Sequence, residues 1–149
     1  MQRDSAKSDG ITRDDTFHNY MYFGFFIYIW GIFFHFCSDC QKYFQLKYQK
    51  PRQLITEGMM AYSRNMNYFG ECLIYAGYCF MSGYLVPFIP VVAVWFTLFR
   101  TNMKVKDASM SRYKDWDNYC SQTGFIIPNF ITIVKDVPRM FSKSSEKRE

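Results

Sequence analysis

The sequence predicts an all-α membrane protein with about three transmembrane helices, one single span plus a helical hairpin, followed by an amphipathic interfacial helix. Three observations carry that expectation. The aromatic content of 21% in 149 residues is more than a soluble core needs. The apolar residues are gathered into long runs with almost no charge, and Lys and Arg collect at the ends of those runs. A mean hydropathy of −0.21 does not oppose this, because it averages polar ends with a dense apolar middle. The chain divides into a polar N-terminal tail (1–16), a membrane domain (17–141) and a polar C-terminal tail (142–149).

The first span is placed near 20–37. Tyr20 to Cys37 carries no Lys, Arg, Asp or Glu and approaches the roughly 20 residues that a crossing helix requires. Gly24 and Gly31 within it offer close helix approach, although their spacing is not a GxxxG. From Tyr68 to Phe99 the only ionisable acid or base is Glu71, and the run is too long for one ordinary span. It suits two spans, near 68–83 and 85–99, linked at Ser82, Gly83 and Tyr84. Pro87 and Pro90 then fall in the first turn of the second helix, where a missing N–H is harmless. Ser109 to Ser121 places Tyr113, Trp116, Tyr119 and Cys120 at three- and four-residue steps, the pattern of an amphipathic helix near 109–121 on the membrane surface. Phe125 to Val134, with Pro128 and Asn129, is too short to cross and reads as an interfacial segment.

The net charge of +5 does not point to nucleic acid. Lys42, Lys47, Lys50, Arg52 and Arg64 lie between two apolar runs, and Lys104, Lys106, Arg112 and Lys114 follow the third, so both clusters are juxtamembrane. No recognition motif accompanies them. The tail before the first span is acidic, with Asp4, Asp9, Asp14 and Asp15 outnumbering its bases, which puts it across the bilayer from the Lys/Arg clusters. Five cysteines, Cys37, Cys40, Cys72, Cys79 and Cys120, make an odd count, three of them in or at the edge of apolar runs, which argues against a disulfide framework. His35, Cys37 and Cys40 have no second ligand pair at zinc-like spacing, so no metal is expected.

At the junction of the basic stretch and the second apolar run stands Tyr62-Ser63-Arg64-Asn65-Met66-Asn67-Tyr68-Phe69-Gly70-Glu71. Arg64 can take a phosphate or carboxylate in bidentate fashion, and Asn67 and Glu71 lie one helical turn apart on one face. This segment resembles the C-terminal motif of the steroid 5-alpha-reductase-like membrane proteins, commonly written Tyr-Ser-Arg-His-Pro-Asn-Tyr-Phe-Gly-Glu and shared in related forms by sterol reductases and isoprenylcysteine methyltransferases. Met110, Tyr113, Trp116, Tyr119, Cys120, Thr123, Phe125, Ile127 and Pro128 are similar to the family's closing segment. The resemblance runs over roughly Gln53 to Phe130.

The resemblance implies a helical bundle whose cytosolic mouth binds NADPH, or S-adenosylmethionine in the methyltransferase branch. Arg64, Asn67, Tyr68 and Glu71 would face the cofactor, joined by Arg100, Tyr119 and Asp107 from the later segment. Two departures weigh against catalysis. Asn65 and Met66 replace the family's His-Pro, which removes a titratable ring and a rigid turn. Only one span precedes the motif, where the family's reductases use several helices to enclose a lipid substrate.

The expectation is therefore a non-catalytic accessory subunit of a large membrane complex, built on a truncated reductase-like fold. Its partners would be other membrane subunits and phospholipids, and it would hold no cofactor. The compartment expected is the mitochondrial inner membrane, in a respiratory type of assembly, with the endoplasmic reticulum as the alternative. The competing expectation is an enzyme, an NADPH-dependent sterol or enone reductase or a prenylcysteine methyltransferase acting on a lipid. A third is a lipid-binding module with a phospholipid head group on Arg64.

Overall fold

The computed structural model describes residues 13–134. The expected C-terminal tail, and all but the last residues of the expected N-terminal tail, lie outside the described residues. Helix α1 runs unbroken over Arg13–Tyr48, and a 3-10 turn follows at Gly58–Ala61. Helix α2 spans Met66–Ser82. Helix α3, Phe88–Val94, passes through a π turn at Trp95–Phe99 directly into α4, Arg100–Met110. Helix α5 is Trp116–Gln122, and a further helical turn occupies 130–134. Among the described residues there is no strand, only an isolated parallel bridge between Ser63 and Gly124.

Helix α1 is long and apolar enough to cross a membrane. It is much longer than the span read from the sequence, starting before Phe17 and continuing past Cys37. The charged and polar residues from Ser38 to Lys47 end the apolar run but not the helix, because Gln, Lys and Leu are good helix formers. Its side chains from Phe17 to Phe36 are largely exposed aromatics and aliphatics, the surface of a helix solvated by lipid or by other helices.

Helices α1 and α2 pack antiparallel through four glycines. A Cβ on Gly24 would meet the Gly77 carbonyl oxygen at 2.7 Å, and one on Gly31 would meet the Ile74 nitrogen at 2.6 Å and the Gly70 oxygen at 2.9 Å. A Cβ on Gly70 would collide with the backbone nitrogen of His35. The two backbones therefore touch, with a small residue every seventh position on each helix. Rings seal the seam on either side: Phe23 on Phe80 at 5.1 Å, Tyr28 on Tyr78 at 5.0 Å and Phe34 on Phe69 at 5.5 Å.

Gly83 ends α2 in the left-handed conformation, with φ 69°, and its N–H donates to the Phe80 carbonyl. The chain then turns back at 83–87, and α3 begins just after Pro87, with Pro90 in its first turn. Phe99 returns onto α2 between Tyr68 at 5.1 Å and Tyr75 at 6.4 Å. The expected amphipathic helix near 109–121 is two pieces: α4 ends at Met110, residues 111–115 turn, and α5 starts at Trp116. Tyr113 lies in that turn, so the three- and four-residue spacing that links it to Trp116 is not helical there.

Candidate functional site

The motif forms a polar knot at the end of α2, where three chain segments meet. Tyr62 to Asn65 runs alongside 123–129. The Arg64 N–H donates to the Gly124 carbonyl at 3.0 Å, while the N–H groups of Gly124 and Asn129 both donate to the Tyr62 carbonyl, at 3.1 and 2.9 Å. The fully buried Ser63 hydroxyl donates to the Ile126 carbonyl at 2.7 Å. Helix α4 supplies Lys106 and Asp107 from the third side.

Arg64 points away from α2 and into this knot. Its Nη1 donates to the Cys120 carbonyl at 3.1 Å and reaches the Thr123 carbonyl at 3.5 Å, two C-terminal carbonyls of α5 that the helix itself leaves unpaired. Its Nε faces Asp107 Oδ2 at 3.5 Å, and the guanidinium lies 5.7 Å over the Trp116 ring and 5.5 Å from that of Phe125. The two side chains of the ion pair are 13% and 20% exposed. Burial holds the Asp107 carboxyl above its ordinary range against the opposing pull of Arg64 and Lys106.

Asn65 and Met66 are both core residues. Asn65 is completely buried: its Nδ2 donates to the Phe125 carbonyl at 2.9 Å, and its Oδ1 accepts from Lys106 Nζ at 3.1 Å. Lys106 Nζ also donates to the Arg64 carbonyl at 2.7 Å. Burial pushes the Lys106 ammonium down to about 8, helped by Lys42 and opposed by Asp107. Met66 opens α2 against Ile55 and Met60, with Phe34 and Phe69 packed around them.

Of the remaining expected site residues, Asn67, Tyr68, Glu71 and Arg100 do not converge on Arg64. Tyr119 does: its hydroxyl donates to the Met60 carbonyl at 2.7 Å in a buried bond, and burial raises its phenol. Tyr68 is spent on the ring of Phe99, and Arg100 opens α4 as an exposed residue. Asn67 and Glu71 lie one turn apart, and His35 of α1 meets the Glu71 side chain and the Asn67 backbone. His35 Nδ1 lies 3.2 Å from the Asn67 carbonyl oxygen and 3.9 Å from Glu71 Oε1, and its Nε2 lies 3.7 Å from Asp39. Among the described residues Glu71 is thus placed beside His35 and not beside Arg64. Lys106 was absent from the expected site, since a lysine after an apolar run reads as a solvated juxtamembrane charge.

Two concavities adjoin the knot. A cavity of about 30 Å³ is lined by Lys42, Ile55, Arg64, Lys106, Asp107 and Tyr119. It is far below the roughly 300–1,000 Å³ of small-molecule sites. An open groove of about 1180 Å³ lies on the other side of α5, and of the expected cofactor residues only Tyr119 lines it. Arg64 Nη1 is thus directed at carbonyls and Glu71 lies beside α1, while Arg64 Nε and Asp107 Oδ1 are buried without a hydrogen-bond partner among the described residues. Among the described residues no group of three or more His, Cys, Asp or Glu could hold a metal ion.

Comparison with known proteins places the chain. A family model described as a protein of unknown function, DUF1295, matches residues 5–123. The chain belongs to that family, one of steroid- and sterol-reductase-like membrane proteins. The match takes in α1 as well as the motif, so the first helix is part of the family fold. A Delta(14)-sterol reductase of Ascobolus immersus is 28% identical over 71 residues, which is 46% of this chain and 16% of that protein. The matched region thus spans about a sixth of that reductase's length. No solved structure matches.

Proposed function

We propose that this chain is a non-catalytic member of the sterol-reductase-like family that serves as an accessory subunit of a membrane assembly, its motif acting as a structural clasp. The observation that carries the reading is the mutual use of the motif's polar groups. Arg64, Asn65, Lys106 and Tyr119 bind one another or backbone carbonyls within the chain. A cofactor site needs such donors aimed at a ligand, and here Arg64 Nη1, Asn65 Nδ2, Lys106 Nζ and the Tyr119 hydroxyl are aimed at groups of the chain itself, while Arg64 Nε faces Asp107 at 3.5 Å without a hydrogen bond. The exposed aromatic face of α1 supports the second half of the proposal, since lipid and neighbouring spans are the surroundings such a face requires.

The proposed partners are other membrane subunits and phospholipids, with no cofactor. The compartment proposed is the mitochondrial inner membrane in a respiratory type of assembly, with the endoplasmic reticulum as the alternative; carbonate-resistant fractionation of mitochondria and microsomes separates the two. Purification in a mild detergent tests the main reading. Migration within a large complex together with no measurable NADPH binding is the expected result, and a lone monomer that binds NADPH tightly overturns it.

A second reading is favoured by the similarity to the Delta(14)-sterol reductase. In it the chain is one part of an NADPH-dependent reductase acting on a sterol or enone lipid, completed by a partner chain. A changed lipid composition after deletion of the protein supports that reading, and an unchanged one removes it.

A further inference from the structure

We infer that the outer end of α1, which presents Tyr43, Phe44, Lys47 and Tyr48, docks an acidic segment of a neighbouring protein subunit that stands clear of the bilayer. The inference rests on the assembly reading above and supplies the chemistry of one of its partners.

The patch is built, not incidental. Tyr43, Phe44 and Tyr48 are 57%, 54% and 69% exposed. Phe44 stacks on Tyr48 with centroids 6.1 Å apart, and Tyr43 meets Phe44 edge-on at 5.4 Å. Lys47 Nζ donates to the Tyr43 hydroxyl at 3.2 Å and lies 5.3 and 5.4 Å from the centroids of the Tyr43 and Tyr48 rings. Three rings and one ammonium thus form a continuous surface along one helix face.

Its height excludes the lipid as its natural cover. The uncharged stretch of α1 lies between Asp15 and Asp39, and at about 1.5 Å per residue it measures about 34 Å, enough to fill a hydrocarbon layer of about 30 Å. With Ser38 at the edge of that layer, Phe44 stands about 9 Å and Tyr48 about 15 Å beyond it. The head-group zone is only about 6 Å deep on each side. The helix does not bend back onto the membrane either, because the face adjoining the patch is held: Gln41 Nε2 donates to the Glu57 carbonyl at 2.6 Å, and Gln41 Oε1 accepts from the Met59 N–H at 2.9 Å. Lys42, beside Gln41, lines the cavity under Arg64.

Charge selects the partner. Cys40 to Thr56 contains Lys42, Lys47, Lys50 and Arg52 and no acidic residue. An aromatic surface in water with that surround favours a segment carrying Asp or Glu beside apolar groups. A second copy of this chain in the same orientation keeps its acidic tail, Asp4 to Asp15, on the far side of the bilayer.

Photo-crosslinking of the full chain in its native membranes tests this, with p-benzoylphenylalanine in place of Phe44 and, as a control, of Phe26 inside the apolar run. The expected result at position 44 is an adduct with another polypeptide, mapped to a peptide rich in Asp or Glu. Its yield falls about fivefold or more with Lys47→Glu, the scale of one desolvated cation–π or ion-pair contact, and recovers with Lys47→Arg. Adducts to phospholipid, to a second copy, or to a protein with a yield indifferent to Lys47→Glu overturn the inference. Native migration is read in parallel: an intact assembly with only lipid adducts at 44 refutes the docking surface alone, whereas a monomer refutes the assembly reading as well.

Discussion

Lys106 and Asn65 form a part-buried hydrogen bond of 3.1 Å between side chains 41 positions apart, and it closes the knot that joins α4 to the motif. Asn65 is completely buried, and the same side chain donates to the Phe125 carbonyl. Asn65→Ala leaves that carbonyl without its donor and removes one acceptor from a buried ammonium. The expected destabilisation is about 2 kcal/mol, the scale of an unsatisfied buried polar group. Thermal unfolding of the two proteins in the same detergent measures it, and an unchanged Tm refutes the clasp role of Asn65. Asn65→His, which restores the family's ring, places a larger group in a full site and is expected to lower Tm also.

The α1–α2 seam gives a second prediction. Gly70→Val and Gly31→Val each set a branched side chain against a backbone that already touches the glycine. The helices must separate, so a loss of about 3 kcal/mol or more, or failure to accumulate, is expected. Val in place of the exposed Leu85, in the turn after α2, serves as the control and is expected to leave Tm within about 0.5 kcal/mol equivalent. Equal tolerance of all three substitutions contradicts the close packing.

That seam also shows what the sequence carried and what it withheld. The helical content and hairpin were legible because Gly83 and Pro87 punctuate a run that carries no charge after Glu71. Close helix approach at Gly24 and Gly31 was legible too, but not the helix that approaches, because a small residue every seventh position names no partner. The partner is Gly70 and Gly77, on a helix beyond a long polar connection. Arg64 and Tyr119 were recognised as residues that matter, yet their direction depends on where 123–129 folds back, a tertiary fact. Lys106 looked like one of several solvated lysines, and only its burial against Asn65 distinguishes it. The replacement of His-Pro by Asn65 and Met66 was the most telling local feature, since both became packed core.

The Lys106 ammonium sits at about 8, well below the ordinary lysine value near 10.4. Burial is the main cause. Between those two values the unfolded chain binds a proton that the folded chain has released, so this group makes stability rise as pH climbs from about 8 towards 10.4. Charged Lys106 costs stability at neutral pH and the cost fades in alkali. Lys106→Arg keeps the charge throughout the window and removes the titration. The difference in Tm between the native protein and Lys106→Arg is therefore expected to widen in favour of the native protein between pH 8 and 10, over a range of up to about 3 kcal/mol. A difference independent of pH shows that Lys106 is not buried as described.

Arg64 separates the clasp from the enzyme most sharply. As a clasp it holds the end of α5 through the Cys120 and Thr123 carbonyls and neutralises Asp107. Arg64→Ala then strands a mostly buried carboxylate and frees the carbonyls, a loss of about 3 kcal/mol. The 111–115 turn should become open to protease and Asn129 should lose its contact with Tyr62. Arg64→Ala/Asp107→Leu removes both charges at once and is expected to recover part of that loss, because the unpaired charge rather than the missing contact is the larger penalty. A cofactor-gripping Arg64 predicts the opposite pattern: the single variant keeps its Tm and its protease resistance and loses only NADPH binding. Limited proteolysis and Tm on the single and double variants decide between the two, since partial rescue by a second substitution follows from a clasp and has no place in a vacated cofactor site.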